Sequence, residues 1–311
     1  MEAGKPQEPK RVDYLPKGSL SVSQVGTFMT CRYKWFLQRV IRQEKDPDYE
    51  EDPSVFALGK AFHHALEMAN HLPDISGDWF NRDSDTGMYS LMRMFGIGIW
   101  DGVKVSAMLK EYAELHLASK LRVVANEVKI YRDGFGGYID AIMVDDSAKL
   151  WWICDMKTSG WPDPHLQSKL PLDPQLNAYA SMVDLIPALV PGVRGHEFGG
   201  CLYRVTTKPR HKPSKRSKET FLDAMNRMDP KATEYRILAE HLDPDLVMDN
   251  IRNANFGMKM IRSGMMAPDR NFRACTDYNR PCEYWSQCHG ALASQAKSVV
   301  QVNTSDTFEF L

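Results

Sequence analysis

Residues 124–158 read VANEVKIY RDGFGG YIDAIMV DDSAK LWWICDMKT, three apolar runs separated by two segments rich in turn-forming residues. This alternation predicts a β-meander of three strands. Side chains alternate between the two faces of a strand, so Asp155 and Lys157 emerge on one face near the polar end of the third run. A hairpin brings Asp140, which follows Gly136-Gly137, next to Asp155. The stretch therefore predicts two acids and one amine on neighbouring strands.

Two carboxylates at this spacing offer hard oxygen ligands, which suit Mg²⁺ or Mn²⁺ and leave coordination positions for water and a phosphate oxygen. Such a metal lowers the pKa of a bound water and neutralises charge on a phosphoryl group. Lys157 is then placed to orient the attacking water and to stabilise the developing negative charge. An ordinary salt-bridged strand end uses the same residues, Asp140, Asp155 and Lys157, and the local pattern does not decide between the two interpretations.

Further motifs surround this stretch in a consistent order. They are Ser21-Val22-Ser23-Gln24-Val25 with Phe28 and Cys31, then Gly59-Lys60-Ala61-Phe62-His63, then Glu127, then Gln175-x-x-x-Tyr179, and finally Cys275, Cys282 and Cys288. With Asp140 and Asp155-x-Lys157 in the middle, this order resembles the RecB-like branch of the PD-(D/E)XK nuclease superfamily over residues 20–290. The chain is similar to the CRISPR-adaptation and AddB-type exonucleases, and a phage-encoded origin is compatible with this resemblance.

The resemblance implies an α/β fold of the restriction-endonuclease type: a mixed central sheet flanked by helices, with an iron-sulfur cluster joining the N- and C-terminal segments. It also implies roles for individual residues. Asp140, Asp155 and the Met156 carbonyl hold Mg²⁺ or Mn²⁺, and Lys157 serves the water. His63 adds a nitrogen ligand, which favours Mn²⁺. Without the resemblance, a histidine on this apolar helix is more often a core residue.

Three more catalytic candidates come from the resemblance. Gln175 and Tyr179 are implied to position substrate or water. They share a face of a helix that Asp173-Pro174 begins, as N-cap and first helical residue, and a plain amphipathic packing helix is the alternative. Glu127 is implied to reach a metal through water, or it is simply a polar strand residue.

Six cysteines divide into two sets. Cys154 and Cys201 lie in apolar runs and are predicted to be core residues. The other four are Cys31, Cys275, Cys282 and Cys288. A cytosolic location disfavours disulfides, so these four predict a metal site, for which zinc is the generic occupant. The resemblance implies a structural [4Fe-4S] cluster instead. The spacing departs from the family's frequent Cys-x-x-Cys pair, because six and five residues separate the last three cysteines.

Composition indicates one enzyme domain with tails. The chain has 311 residues, 43% of them hydrophobic and 25% charged, which is enough for a full core. We predict a nuclease domain over 18–290, flexible tails at 1–17 and 291–311, and further helices over 219–262, broken near Asp229-Pro230 and Asp243-Pro244. Neither a signal peptide nor an apolar run of membrane-spanning length is present, so we expect a cytoplasmic protein, in the host cytoplasm if phage-encoded.

A net charge of −1 excludes a global attraction to polyanions, so DNA binding must use local patches. The run KPRHKPSKRSK at 208–218 is predicted to be a strand-gripping loop near the active site, with a solvated surface run as the alternative. Basic residues interleaved with Tyr33, Trp35 and Phe36 either stack on single-stranded bases or pack in the core. The C-terminal tip SDTFEFL is a partner-docking peptide or an inert tail.

Together these observations predict a metal-dependent DNA exonuclease that acts on single strands or duplex ends in recombination, repair or phage DNA metabolism. Two alternatives remain. One is a catalytically idle nuclease fold that serves as the DNA-binding subunit of a helicase or of a CRISPR-adaptation complex. The other is a zinc-stabilised nucleic-acid-binding module without catalysis.

Overall fold

The computed structural model of the chain describes residues 20–46, 53–75, 77–84, 87–161, 163–210, 220–279 and 282–289. These residues form two compact units. The sheet unit consists of the described residues within Met1–Val22 and Asp52–Asn253, and the cysteine unit consists of those within Ser23–Glu51 and Ala254–Leu311. The predicted tails at 1–17 and 291–311, the C-terminal tip among them, and residues 211–218 of the basic run lie outside the described residues.

The described part of the sheet unit contains one mixed, six-stranded sheet. Its strands are β1 Leu20–Ser21, β2 Arg122–Arg132, β3 Phe135–Asp145, β4 Leu150–Ser159, β5 Glu197–Thr207 and β6 Ala232–Leu238. The order is β1-β3-β4-β5-β6, with β2 also paired to β3. The β1–β3 and β4–β5 pairs are parallel and the others are antiparallel. Strands β2 to β4 confirm the predicted meander.

Strands β3 and β4 separate from each other part-way along their length. β3 pairs with β1 through Phe135 and Gly136, and its ladder with β4 begins only at Ala141, opposite Cys154. Residues 137–140 of β3 and 155–157 of β4 therefore line a fork at the point where the two strands diverge. Backbone groups that leave a ladder need other partners, so a fork is a place where side chains can enter the sheet.

Helices of the sheet unit pack against the sheet, and the cysteine unit contains helices of its own. In chain order the α-helices are α1 Val22–Thr30, α2 Arg32–Phe36, α3 Pro53–Met68, α4 Met88–Phe95, α5 Ile99–Ser119, α6 Leu166–Lys169, α7 Pro174–Ala180, α8 Ile186–Leu189, α9 Phe221–Arg227, α10 Pro244–Arg262 and α11 Trp285–His289. A π-helical turn, Leu37–Ile41, follows α2. Helix α7 contacts β3, β4 and β5. On the other face, α3 and α5 bury Phe62 and Leu109 against Trp152 and Cys154. The sheet flanked by helices is consistent with a restriction-endonuclease-like fold.

Shorter 3₁₀ segments connect these elements, namely Gly77–Phe80, Leu170–Leu172, Val183–Leu185, Pro191–Val193, Ala239–His241 and Phe272–Asn279. Within the described ranges, no helix combines the length and apolar character needed to cross a lipid bilayer.

The prediction of helices throughout 219–262 is wrong for its middle third. Helices α9 and α10 form on either side of the predicted breaks, but the residues between them form strand β6, which pairs with β5. Thr233, Tyr235 and Ile237 alternate with polar residues there. An alternation with a period of two, in residues that favour strands, indicates an extended segment. Pairing with β5 supplies hydrogen-bond partners for its backbone.

A chain of buried polar side chains ties the helices to the sheet. Arg204 on β5 is 1% exposed and donates hydrogen bonds to Glu234 on β6 and to Tyr112 on α5. Tyr112 Oη lies 2.6 Å from His71 Nδ1, and His71 Nε2 lies 3.0 Å from Asn126 Oδ1 on β2. Burial lowers the pKa of His71 to about 3, so the ring is neutral. Because Tyr112 accepts from Arg204, its own proton serves Nδ1, which leaves Nε2 to donate to Asn126.

The cysteine unit has an aromatic core of its own. Trp35 and Phe28 are 0% and 1% exposed, and their rings meet edge to face with centroids 5.3 Å apart. The Arg262 guanidinium carbon lies 5.2 Å from the centre of the Trp35 ring. A Cβ on Gly257 would lie 2.9 Å from the Phe28 ring, so glycine permits this close packing. For Trp35, packing in the core is therefore the correct interpretation rather than base stacking.

Candidate active site and cysteine cavity

The fork gathers the three residues that the meander predicted. Asp140 Oδ2 accepts a hydrogen bond from the Met156 N–H at 2.7 Å. Asp155 is 1% exposed, and Lys157 Nζ lies 2.8 Å from its carboxylate and donates to Oδ1. Asp155 Oδ2 is near the same ammonium but receives no hydrogen bond from the described residues. The hairpin thus places Asp140 beside Asp155, as predicted.

The electrostatics of the fork favour a bound cation. Burial raises the pKa of Asp155 to about 7; Lys157 opposes this rise and Asp140 adds to it. Burial alone lowers the pKa of Lys157, but the charges of Asp155 and Asp140 outweigh it and hold the pKa above its ordinary value. The single Lys157 ammonium thus balances the negative charges of two carboxylates. A further positive charge in the fork would stabilise Asp155 in its ionised form.

A directional set of hydrogen bonds positions the Lys157 ammonium. Lys157 Nζ donates to Gln175 Oε1 at 3.2 Å, Gln175 Nε2 donates to Tyr179 Oη at 3.4 Å, and Tyr179 Oη donates to the Tyr138 carbonyl at 2.8 Å. Tyr138 lies in the fork, so Tyr179 replaces a strand partner there. A Cβ on Gly137 would come within 2.6 Å of Tyr179 Oη, so the residue before Tyr138 must be glycine.

Helix α7 presents these two side chains because its first turn is capped. Asp173 Oδ1 accepts from the N–H groups of Gln175 and Leu176, and Pro174 occupies the first helical position. The predicted helix start is confirmed. Tyr179 is 3% exposed, and it both packs and donates a hydrogen bond, so the packing and positioning interpretations are not exclusive.

His63 reaches the fork from α3. Its Nδ1 lies 3.9 Å from Asp140 Oδ2, and its side chain is 28% exposed, unlike that of a core histidine. Helix α3 can approach β4 because Gly59 has no side chain: a Cβ there would lie 3.1 Å from Thr158 Oγ1. One helical turn separates Gly59 from His63, so both residues lie on the same face of α3. The close approach at Gly59 therefore determines where His63 lies along β4.

Glu127 stands on β2 opposite the fork. The register pairs Asn126 with Ala141 and Val128 with Ile139, which puts Glu127 across from Asp140. Its φ of 49° is in the left-handed region, which non-glycine residues seldom adopt within a strand. Strained residues of this kind cluster at functional sites. The hydrogen bond from His71 to the neighbouring Asn126 helps to hold this part of β2.

The donor set of the fork suits a hard cation that keeps part of its water shell. Mg²⁺ is commonly held by one or two carboxylates, with water and substrate phosphate completing the shell. Asp140 and Asp155 provide such a pair, and Asp155 Oδ2, which lies 2.8 Å from the Lys157 ammonium, accepts no hydrogen bond from the described residues. Nowhere in the described residues do three or more His, Cys, Asp or Glu side chains form a group that could hold an ion alone. His63 and the Met156 carbonyl remain predicted ligands.

The sequence model of the PD-(D/E)XK nuclease superfamily matches residues 19–289, which is most of the chain. The chain belongs to the PD-(D/E)XK nuclease superfamily. Membership implies a metal-dependent nuclease and is consistent with DNA binding. A search of curated protein sequences found no match to the chain.

This PD-(D/E)XK nuclease also brings its four non-core cysteines together. Cys31, Cys275, Cys282 and Cys288 line one cavity of about 20 Å³ in the cysteine unit. The Cys282 N–H donates to the Cys275 carbonyl at 2.8 Å, which closes the loop between those two residues. Cys154 and Cys201, by contrast, are fully buried in the sheet unit, as predicted.

Charged groups around the cavity act on the thiols. Burial raises the pKa values of Cys282 and Cys288, while Lys34 opposes the rise at Cys282 and Arg270 opposes it at Cys288. The Nε2 atom of His289, which also lines the cavity, is buried without a hydrogen-bond partner among the described residues. Thiols beside cations, with a buried polar atom facing the same space, fit a group bound through thiolates.

The basic run at 208–218 begins next to the nuclease fork. Lys208 N–H donates to the Ser159 carbonyl at 2.7 Å, at the end of the strand that carries Asp155 and Lys157. Residues 208–210 are described, and the remainder of the run is not. Sequence reasoning missed the Arg204 network and the exposed Trp161 that follows β4. It recognised Gly59 as part of the histidine motif but not its role in the close packing of α3 on β4.

Proposed function

We propose that this nuclease is a divalent-metal-dependent DNA exonuclease of the RecB-like branch, acting on DNA ends or single strands in the cytoplasm during recombination, repair or phage DNA metabolism. The observation that carries the proposal is the fork itself. There a buried carboxylate, Asp155, has one oxygen without a hydrogen-bond donor and lies beside a second acid and a lysine. The order of motifs along the chain supports the RecB-like branch.

In this proposal Asp140 and Asp155 hold Mg²⁺ or Mn²⁺, with the Met156 carbonyl and His63 as further ligands. When bound, the ion supplies a water of lowered pKa and neutralises charge on the phosphate. The Met156 N–H hydrogen bond fixes the orientation of the Asp140 carboxylate. The nitrogen of His63 would make the site accept Mn²⁺ well.

Lys157 acts on the attacking water and on the developing charge. Its ammonium stays protonated because two carboxylates raise its pKa, so it donates hydrogen bonds and does not act as a base. Gln175 and Tyr179 hold it in place through the bonds described above, which makes them positioning residues. Glu127, across the sheet from Asp140, is proposed to act through a water. Preorganised donors aimed at developing charge are a main source of catalysis.

We also propose that Cys31, Cys275, Cys282 and Cys288 bind a structural [4Fe-4S] cluster. In a four-iron cluster each thiolate would bind a different iron, so the four cysteine sulfur atoms would be distributed around the cluster. Four cysteines around one cavity support that arrangement. Iron and sulfide analysis of the purified protein decides between a cluster and zinc. A cluster gives a brown protein that contains iron and sulfide, whereas zinc gives a colourless protein without them.

The activity test uses end-labelled single- and double-stranded DNA and covalently closed circles, with Mn²⁺, Mg²⁺ or neither. We expect metal-dependent shortening of linear DNA from its ends and intact circles. Lys157→Ala should abolish cleavage. Lys169→Ala is the matched control, because Lys169 also lies 2.8 Å from an aspartate but at an exposed position. Cut circles would contradict the exonuclease, and DNA binding without any cleavage would favour the idle subunit.

A further inference from the structure

Trp161 is an exposed tryptophan beside the proposed active site. It is 69% exposed, whereas the other six tryptophans are buried or half-buried. It follows β4 directly, four residues after Lys157. The Trp161 N–H donates to Ser159 Oγ at 3.2 Å, so its backbone is attached to the end of the strand. A single exposed apolar side chain is common on protein surfaces, so the significance of this ring depends on where it lies and what contacts it.

The Arg210 guanidinium contacts one face of this ring. The guanidinium carbon is 3.2 Å from the centre of the ring, and Arg210 Nη2 donates to the Gly160 carbonyl at 3.4 Å. Arginine stacks on aromatic faces through its planar guanidinium. The stack covers one face of the indole and restricts its rotation. Among the described residues no second ring or cation is recorded on the indole, and most of its surface is accessible.

The position of the pair relates it to the fork. Strands β4 and β5 are parallel and end together, with Ser159 opposite Thr207. Trp161 and Arg210 therefore lie just past the carboxyl ends of both strands. Four residues of extended chain span at most about 14 Å, so the Cα atom of Trp161 lies within about that distance of the Cα atom of Lys157.

We propose that Trp161, backed by Arg210, is a stacking site for an unpaired nucleobase, and that it directs single-stranded DNA to the active site. The inference rests on the proposed function and adds its strand preference. Aromatic stacking tolerates any base, because every base has a π face. Bases inside a duplex already stack on their neighbours, so the site discriminates against duplex DNA except at frayed ends.

The test measures equilibrium binding by fluorescence anisotropy, in EDTA so that cleavage does not interfere. The probes are a labelled oligothymidylate, a blunt duplex and an abasic oligonucleotide of equal length, which keeps the phosphates but has no bases. Trp161→Ala should weaken oligothymidylate binding about tenfold, within the range of one base–aromatic stack. Binding of the duplex and of the abasic strand should hardly change, and Trp161→Phe should retain most of the affinity. The affinity of Arg210→Lys for oligothymidylate should lie between those of the wild type and Trp161→Ala, because lysine keeps the positive charge but does not stack on the indole.

Phe256→Ala is the matched control, since Phe256 is 66% exposed but lies far along the chain from the fork residues. An equal loss in this control, or an equal loss on abasic DNA, would overturn the stacking site. Cleavage activity is scored separately. A chain that cleaves DNA through Lys157 but binds oligothymidylate equally well with and without Trp161 refutes this inference alone. A chain that never cleaves refutes the proposed function instead.

Discussion

Asp155→Asn should stabilise the metal-free protein. The pKa of Asp155 is raised from 3.8 to about 7 by burial. An acid with a raised folded-state pKa binds its proton more tightly in the folded protein. The free energy of unfolding therefore falls as pH rises from about 4 to about 7, and the loss is complete above about pH 7. Asparagine has the same shape but no charge, so the variant escapes this loss.

The magnitude follows from the size of the shift. About three pKa units correspond to roughly 4 kcal/mol. The pKa of about 7 already includes the attraction between Asp155 and Lys157, which lowers it, so the lost ion pair is not subtracted again. The expected gain is therefore about 4 kcal/mol above about pH 7. That shifts the melting temperature upward by roughly 8–16 °C for a unit of this size.

Thermal unfolding followed from about pH 5 to about pH 8, with and without Mn²⁺, measures the effect. Without metal, the melting temperature of the variant should exceed that of the wild type at the high-pH end of this range. At the low-pH end the two melting temperatures should approach each other. Mn²⁺ should raise the melting temperature of the wild type alone, because binding to the folded state adds stability. Asp163→Asn is the control: Asp163 also lies 2.8 Å from a lysine, but it is 40% exposed and its pKa is lowered. An Asp155→Asn variant that melts below wild type at every pH would refute this reasoning.

Gly137→Ala should reduce cleavage sharply because its Cβ meets Tyr179 Oη at 2.6 Å; adding Tyr179→Phe should restore part of the cleavage rate, and no restoration would contradict the steric reason. Arg204→Met should lower the free energy of unfolding by about 3 kcal/mol, because it removes the buried partner of Glu234 and leaves that acid paired with the more exposed Arg236; urea denaturation measures this, and a change below about 1 kcal/mol would contradict it. Cys288→Ser should lower the iron content, whereas Cys201→Ser should not; equal iron in both would exclude the cluster.

The meander and the three residues of the fork were predictable because their signals are local. Apolar alternation, the turn segments and the glycine pair all lie within 124–158, and one hairpin is enough to bring Asp140 to Asp155. The start of α7 was predictable for the same reason, since Asp173 and Pro174 form a cap with their immediate neighbours.

The fork itself could not be predicted from these signals. It depends on the two-residue strand β1, which pairs in parallel with β3 from more than a hundred residues away. The network that runs through Arg204, Tyr112 and His71 likewise joins residues from separate elements, and no sequence period records it. Strand β6 was mistaken for helix because the segment is short and its extended conformation is stabilised by pairing with β5. Tertiary pairing overrides local preference in such short segments.

The central claim is that Asp140 and Asp155 together bind a divalent ion beside Lys157. Equilibrium binding of Mn²⁺, followed by electron paramagnetic resonance on the wild type and on single Asn variants of the two acids, tests it most directly. Each variant should bind Mn²⁺ more than about 100-fold more weakly, because the loss of even an outer-shell partner costs 10- to 100-fold. Lys157→Ala should still bind the ion. Wild-type affinity in either Asn variant would contradict the claim.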